Sequence, residues 1–208
     1  MSKVFFSVTM SLDGFIAPDW RSDEQWFRQW TQLQQYAFHQ SFVRRILKLG
    51  DGGESGVDND ILEQTFDRTG ATIIGKRMFD AGENQWPEEA PFHTPVFVLT
   101  RKVREPWPRL GGTTFHFVND GIESALQHAR QAAGDRDVRI GGGAQTIQQF
   151  LNAGMIDEFQ LTVSPVLLHA GIRLFERIDM DRLQLTQIGA VASPRVTHLR
   201  YRVETVAC

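Results

Sequence analysis

Three consecutive glycines carry the strongest chemical signal in the chain. In Val138-Arg139-Ile140-Gly141-Gly142-Gly143-Ala144-Gln145-Thr146, a β-branched run meets the glycines and then a helical pattern. Glycine lets the backbone come close to a bulky anion, and the free N–H groups of a helix's first turn favour negative charge. The chemistry that suits this pattern is phosphate binding, with Gly141, Gly142, Gly143, Ala144, Gln145 and Thr146 as the cradle. The bland alternative is a tight strand-to-helix turn in which glycine only relieves crowding. Three adjacent glycines favour the phosphate reading, although the spacing is not Gly-x-Gly-x-x-Gly.

Two other segments repeat the logic. Thr72–Phe79 is a strand, then Gly75, then Lys76 and Arg77 at an apparent helix start. Backbone donors from Gly75 onward suit a pyrophosphate, and Lys76 or Arg77 would neutralise it. Val96–Lys102 is a strand ending in Thr100, Arg101 and Lys102, a cluster that suits a 2′-phosphate on an adenosine ribose. Alone, either cation pair reads as a solvated strand end. Together the three segments matter more, because in parallel sheets ligands sit beyond the carboxyl ends of the strands, where all three would converge.

Other reactive types are weaker. Asp13, in the turn Ser11-Leu12-Asp13-Gly14, either caps the backbone, the usual use of such an aspartate, or orients a bound group. His93, His116, His128, His169 and His198 show no metal-ligand spacing, and no metal is expected. Ser55 and Ser164 lack the Gly-x-Ser-x-Gly setting of a hydrolase nucleophile. Trp20, Trp26, Trp30 and Phe38 read as the core face of a helix rather than a platform for stacking bases.

The elements that must position these residues follow from periodicity. Val4–Met10 is a buried strand ending in the Asp13 turn. Asp23–Leu49 has helical spacing and many aromatics, Gly50–Gly56 is a break, and Asp58–Phe66 is a further helix. Ala71–Ile74, Pro95–Leu99, Thr113–Val118 and Asp137–Ile140 are short strands. A helix follows Asp120 as N-cap, with Glu123 at the capping-box position, and ends at Gly134. Glu158–Val166 is a long strand, and Leu183–Val191 with Arg195–Val203 forms a hairpin around Ser193-Pro194. The fold class is α/β, a mixed sheet flanked by helices, with Trp20–Val57 and Gly82–Phe92 as covers over a cleft. No linker divides the chain.

Length and composition agree. At 208 residues, 41% hydrophobic and 23% charged, with net charge −3, one soluble domain is expected. Interspersed charges argue against a nucleic-acid platform, and no apolar run is long enough for a membrane span. The one cysteine, Cys208, allows no intrachain disulfide, as suits a reduced cytoplasmic protein.

The chain resembles the dihydrofolate-reductase-like superfamily, in the branch of the riboflavin-biosynthesis reductase, the RibD C-terminal domain. The resemblance rests on Ser11-Leu12-Asp13-Gly14, Ile74-Gly75-Lys76-Arg77-Met78-Phe79, Val98-Leu99-Thr100-Arg101, Ile140-Gly141-Gly142-Gly143-Ala144, Asp157–Thr162, Pro165–Leu168 and Gly171–Phe175. They occur in family order and cover nearly the whole chain. The resemblance implies a mostly parallel sheet of about eight strands with NADPH lying across it. Gly75, Lys76, Arg77, Thr100, Arg101 and the glycine cradle would meet its phosphates and ribose, and Asp13 would sit beside the nicotinamide. Folate reductases carry an acidic residue on the first helix, which nominates Asp23, while Gly50–Asp60, with Glu54, Asp58 and Asp60, reads as a substrate-side loop.

The function expected is hydride transfer from NADPH to a C=N or C=O group of a small heterocycle, a pterin or a ribosylaminopyrimidine. Asp13, Asp23 or an ordered water would supply the proton. The chain lacks the Cys-x-x-Cys and His-x-Glu of the zinc deaminase often fused to that reductase. The alternative is a dinucleotide-binding module of the same fold without turnover. The apolar C-terminal strands suggest a homodimer; neither nucleic acid nor membrane is expected as a partner.

Overall fold

The computed structural model describes residues 2–19 and 22–206, so Trp20 and Cys208 lie outside the described residues. The first half of the chain forms β1 (Val4–Ser11), β2 (Phe15–Pro18), α1 (Asp23–Phe38), α2 (Ser41–Ile46), α3 (Val57–Asp67), β3 (Thr69–Gly75), α4 (Lys76–Gly82) and β4 (Val96–Leu99). There follow β5 (Trp107–Pro108), β6 (Thr114–Val118), α5 (Ile122–Ala133), β7 (Asp137–Gly142), α6 (Ala144–Asn152), β8 (Glu158–Ser164), β9 (Gly171–Arg173), β10 (Leu183–Ala192) and β11 (Thr197–Thr205).

Nine strands form one sheet in the order β10-β11-β8-β1-β7-β3-β4-β6-β5, and β2 pairs with β9 apart from it. The six strands from β8 to β6 are parallel. The hairpin β10–β11 and the short β5 are antiparallel. The expected mixed, mostly parallel sheet with a C-terminal hairpin is what forms, with one strand more than eight.

Register decides what each face of the sheet carries. Val4, Phe6, Ile73, Val138, Ile140 and Phe159 lie on one face and pack with Leu126, Ile147, Phe150 and Leu151 of α5 and α6 in the largest apolar cluster. The other face is split. Over β3, β4 and β6, a second cluster joins Ile74, Val96, Val98 and Phe115 to Phe79 of α4, with Trp86 and Phe92 against it. Over β1, β8 and β11 the same face is polar. Ser7, Thr9 and Ser11 stand opposite Gln160, Thr162 and Ser164, and His198 opposite Thr162, beneath α1 and α3.

Several sequence expectations are corrected. The helical run 23–49 is two helices, because Gln40 pairs with Glu54 of the returning Gly-rich loop and its amide donates to Tyr36 O at 2.9 Å. Helix α5 is capped by Gly121, not Asp120, and no side chain bonds its first turn; the chain enters at φ 111°, which glycine adopts freely. Trp26, Trp30 and Phe38 are not the core face of α1: its buried residues are Leu33 and Tyr36. Trp30 instead stacks on Trp26 and meets Phe38 edge-on in a partly exposed group. Among the described residues no helix is long and apolar enough to cross a membrane.

Candidate functional site

The parallel strands end together. Ser11 lies opposite Ser164, Gly142 opposite Ile74, and Leu99 opposite both Gly75 and Val118. The turns after β1, β3, β4 and β7 therefore share one edge of the sheet. Strands β1 and β7 pair only at Val4–Val138 and Phe5–Arg139. Beyond that they part, while β1 stays with β8 to Ser11 and β7 with β3 to Gly142. A gap thus opens between two central strands at their carboxyl ends. The connections from β3 onward run to one side of it and those after α6 to the other, the topological position where α/β sheets bind ligands.

The glycine segment lies on the rim of this gap. Strand β7 runs through Gly141 and Gly142, the Gly142–Gly143 peptide is cis, and Gly143 caps α6 with no side-chain hydrogen bond. Gly143 is exposed, and a Cβ there would meet no heavy atom within 4 Å. The first-turn N–H groups at Ala144 and Gln145 have no intrahelical acceptor. Thr146 is buried, because it packs on the neighbouring turn: a Cβ on Gly75 would come within 2.5 Å of Thr146 Oγ1. Glycine at 75 is what lets the β3–α4 and β7–α6 turns touch.

The cations of this edge differ. Lys76 is occupied by an ion pair with Asp80 one turn along α4. Arg77 and Arg101 are exposed and enter no ion pair among the described residues. Thr100 extends the edge, its N–H donating to Val118 O at 2.9 Å, and its Oγ1 accepts from Lys102 N at 3.1 Å. Backbone donors, open space and two unpaired guanidinium groups fit a dinucleotide's phosphates.

The two nominated carboxylates are placed differently. Asp13 accepts from Ser11 Oγ at 2.6 Å, Leu168 N at 3.2 Å and His169 N at 2.8 Å. Partial burial works to raise its pKa, but these hydrogen bonds prevail and hold it below the usual carboxylate range. Asp13 is a deprotonated staple between the β1–β2 turn and the stretch before β9. Asp23 is exposed in the first turn of α1, one residue after the N-cap Ser22. Among the described residues no hydrogen bond or ion pair joins it to those of the strand ends. Glu54 pairs with Arg195, and Asp58 with His198 at 2.8 Å and Ser193 Oγ at 3.0 Å. These carboxylates of the expected substrate-side loop latch the C-terminal hairpin instead.

Sequence reasoning missed the polar face. Thr9 Oγ1 donates to Gln34 Oε1 at 2.8 Å, and Thr162 Oγ1 lies 3.0 Å from His198 Nδ1. Burial pushes the phenol of Tyr36 up, and the neighbouring hydroxyls of Thr162 and Thr9 oppose the shift. Arg139 lies on the same face, opposite Phe5. The available signal was the alternation Ser7, Thr9, Ser11 within an otherwise apolar run, which marks a strand with one polar side.

A family model described as the RibD C-terminal domain matches residues 2–199. YyaP of Bacillus subtilis (strain 168), an uncharacterized protein, is 39% identical over 74 residues, and this match spans 35% of the chain and 38% of that relative. A Shewanella sp. PV-4 structure, described under riboflavin biosynthesis, has a TM-score of 0.67 at 22% identity, covering 97% of this chain and 99% of that one. Dihydrofolate reductase from Enterococcus faecalis, complexed with NADP(H), gives 0.53 at 13% identity, covering 97% and 96%. At such identities the likeness is one of fold, the dihydrofolate-reductase-like sheet.

Proposed function

The chain belongs to the RibD C-terminal domain family, and from that premise we propose that it is an NADPH-dependent reductase of small heterocycles. The observation that carries the reading is the open, uncapped start of α6 at Gly143, packed through Thr146 against Gly75, with Arg77 and Arg101 unpaired on the same sheet edge. The first turn of α6 would take the pyrophosphate, Gly75, Lys76 and Arg77 its flank, and Thr100 and Arg101 the adenosine ribose with its 2′-phosphate. When bound, the cofactor supplies the hydride.

The protein's own part is to seat the substrate, exclude water and supply electrostatics. Asp13 positions the turn beside the gap. A carboxylate held below the usual range is a poor proton donor at neutral pH, and Asp23 stands exposed in the first turn of α1, so the proton comes from an ordered water. The substrate is a pyrimidine or pterin, of the type of 5-amino-6-(5-phosphoribosylamino)uracil in riboflavin biosynthesis. The enzyme works in the cytoplasm as a homodimer.

The test is a fluorescence titration of wild type and Gly143→Asp with NADPH and NADH. The expected result is tight NADPH binding that the added carboxylate abolishes. Binding of neither cofactor overturns the reading. NADPH binding without its oxidation across pyrimidine and pterin substrates leaves a non-catalytic dinucleotide module.

A further inference from the structure

We propose that Arg139 is the substrate anchor: its guanidinium, at the foot of the gap between β1 and β7, receives the oxygen-acceptor edge of a flat heterocycle lying beneath α1. The inference rests on the reductase reading and adds to it the recognising residue and the chemistry it recognises.

Arg139 is a charge without a counter-charge. Its Nε is buried and has no hydrogen-bond partner, and its Nη2 has only a long contact, 3.4 Å, to Ser7 O. No carboxylate pairs with it among the described residues. The contrast with Arg68 is direct, because Arg68 holds Asp137 at 2.6 Å and Glu158 at 2.7 Å. Around Arg139 lie the Phe66 ring, 5.2 Å below the guanidinium, and the Tyr36 phenol. Burial draws its pKa down to about 10, with Tyr36 opposing the shift, so it stays charged at neutral pH. A half-buried guanidinium whose Nε is cut off from water and partners, with no counter-charge, is unfavourable, and a ligand that accepts from it offsets that cost.

The position gives access. Arg139 and Phe5 are the last pair before β1 and β7 separate, so the first open place on the polar face adjoins the guanidinium. The chemistry of the free valences gives the ligand class. Gln34 spends its Oε1 on Thr9 and keeps its amide N–H groups, and Arg139 keeps its Nε–H. Thr31, one turn before Gln34 on α1, has a buried hydroxyl without a partner. Two of these three groups can only donate, so they complement ring carbonyls or a carboxylate rather than an amine.

The test uses Arg139→Met and Arg139→Lys, each with and without NADPH, and uracil and orotate as probes. Removing a half-buried charge with an unpartnered, enclosed Nε should raise the melting temperature of the ligand-free Met variant. NADPH affinity should stay within about twofold in both variants, since the phosphate cradle is untouched. Wild type should be stabilised by the probes, and the Met variant should bind them at least about tenfold more weakly, with the Lys variant between, because lysine lacks the planar fork. Binding of uracil as well as orotate identifies ring carbonyls as the recognised group; orotate alone identifies a carboxylate. A Met variant that melts lower than wild type and binds the probes equally, or a wild type that binds neither probe, overturns the proposal. If wild type binds the probes but not NADPH, only the reductase reading falls.

Discussion

Asp13 and Arg139 are both charged residues beside the gap, and they are held in opposite ways. Three donors converge on Asp13, none from a cation, and together they outweigh its partial burial. Asp13→Asn would set an amide N–H₂ against the Ser11 hydroxyl or the His169 N–H, and should lower stability by about 1–2 kcal/mol at pH 7 in urea unfolding. Because the native pKa is lowered, the charged form's contribution is complete above the ordinary value of 3.8 and fades as pH falls through the native value. The gap between wild type and variant should therefore narrow in acid. A gap that widens there would show that the carboxyl binds its neighbours as the neutral acid. Arg139 has one long hydrogen bond and no counter-charge, so its removal is expected to act on ligand binding and to leave the fold firmer.

At the scale of elements, the contact between the start of α6 and the β3–α4 turn is the joint that sets the phosphate cradle. Gly75→Ala drives a methyl group into Thr146 Oγ1 and should weaken NADPH binding at least about tenfold, while Gly75→Ala with Thr146→Ala should recover most of it, a coupling expected only of residues in contact. Titration of the double variant checks this; no recovery would place the effect elsewhere. The hairpin has its own latch in Asp58 and His198, both buried. His198→Ala leaves Asp58 without its ring partner and should cost about 3 kcal/mol in denaturant unfolding, partly spared by the Ser193 hydroxyl.

These elements also show what could be read in advance. Strands β1, β3, β4, β6, β7 and β8 carry enough apolar residues to declare themselves, and glycines mark the turns that follow β3 and β7. Strands β2, β5 and β9 are two to four residues long and exist only through pairing with distant or shielding segments, so no local period announces them. The break between α1 and α2 has neither proline nor glycine; Gln40 makes it by bonding a loop 14 residues onward. The cradle was legible because it is one contiguous segment. The polar face was not, because Thr9, Gln34, Arg139 and Thr162 come from four elements and meet only after the register of the sheet is set.

For the whole molecule, assembly is the open property that composition raised and the sheet now locates. Among the described residues strand β10 ends the sheet with one side of its ladder unpaired, and Leu185, Ile188 and Val191 are exposed along it. An edge of ten residues left bare invites another chain, and we place the proposed homodimer contact there. Sedimentation should give a dimer for wild type and a monomer for Leu185→Lys with Val191→Lys; a monomeric wild type removes the dimer. The sheet's two sides meanwhile differ in what they lose by change. The side under α5 and α6 holds the largest apolar cluster, and each alteration there leaves a void. The side under α1 and α3 carries hydroxyls, amides and guanidinium groups, exchangeable singly without emptying that cluster. Descendants of such a chain can take up new substrates by drift on one side of the sheet, while the apolar core that folds it is inherited unchanged on the other.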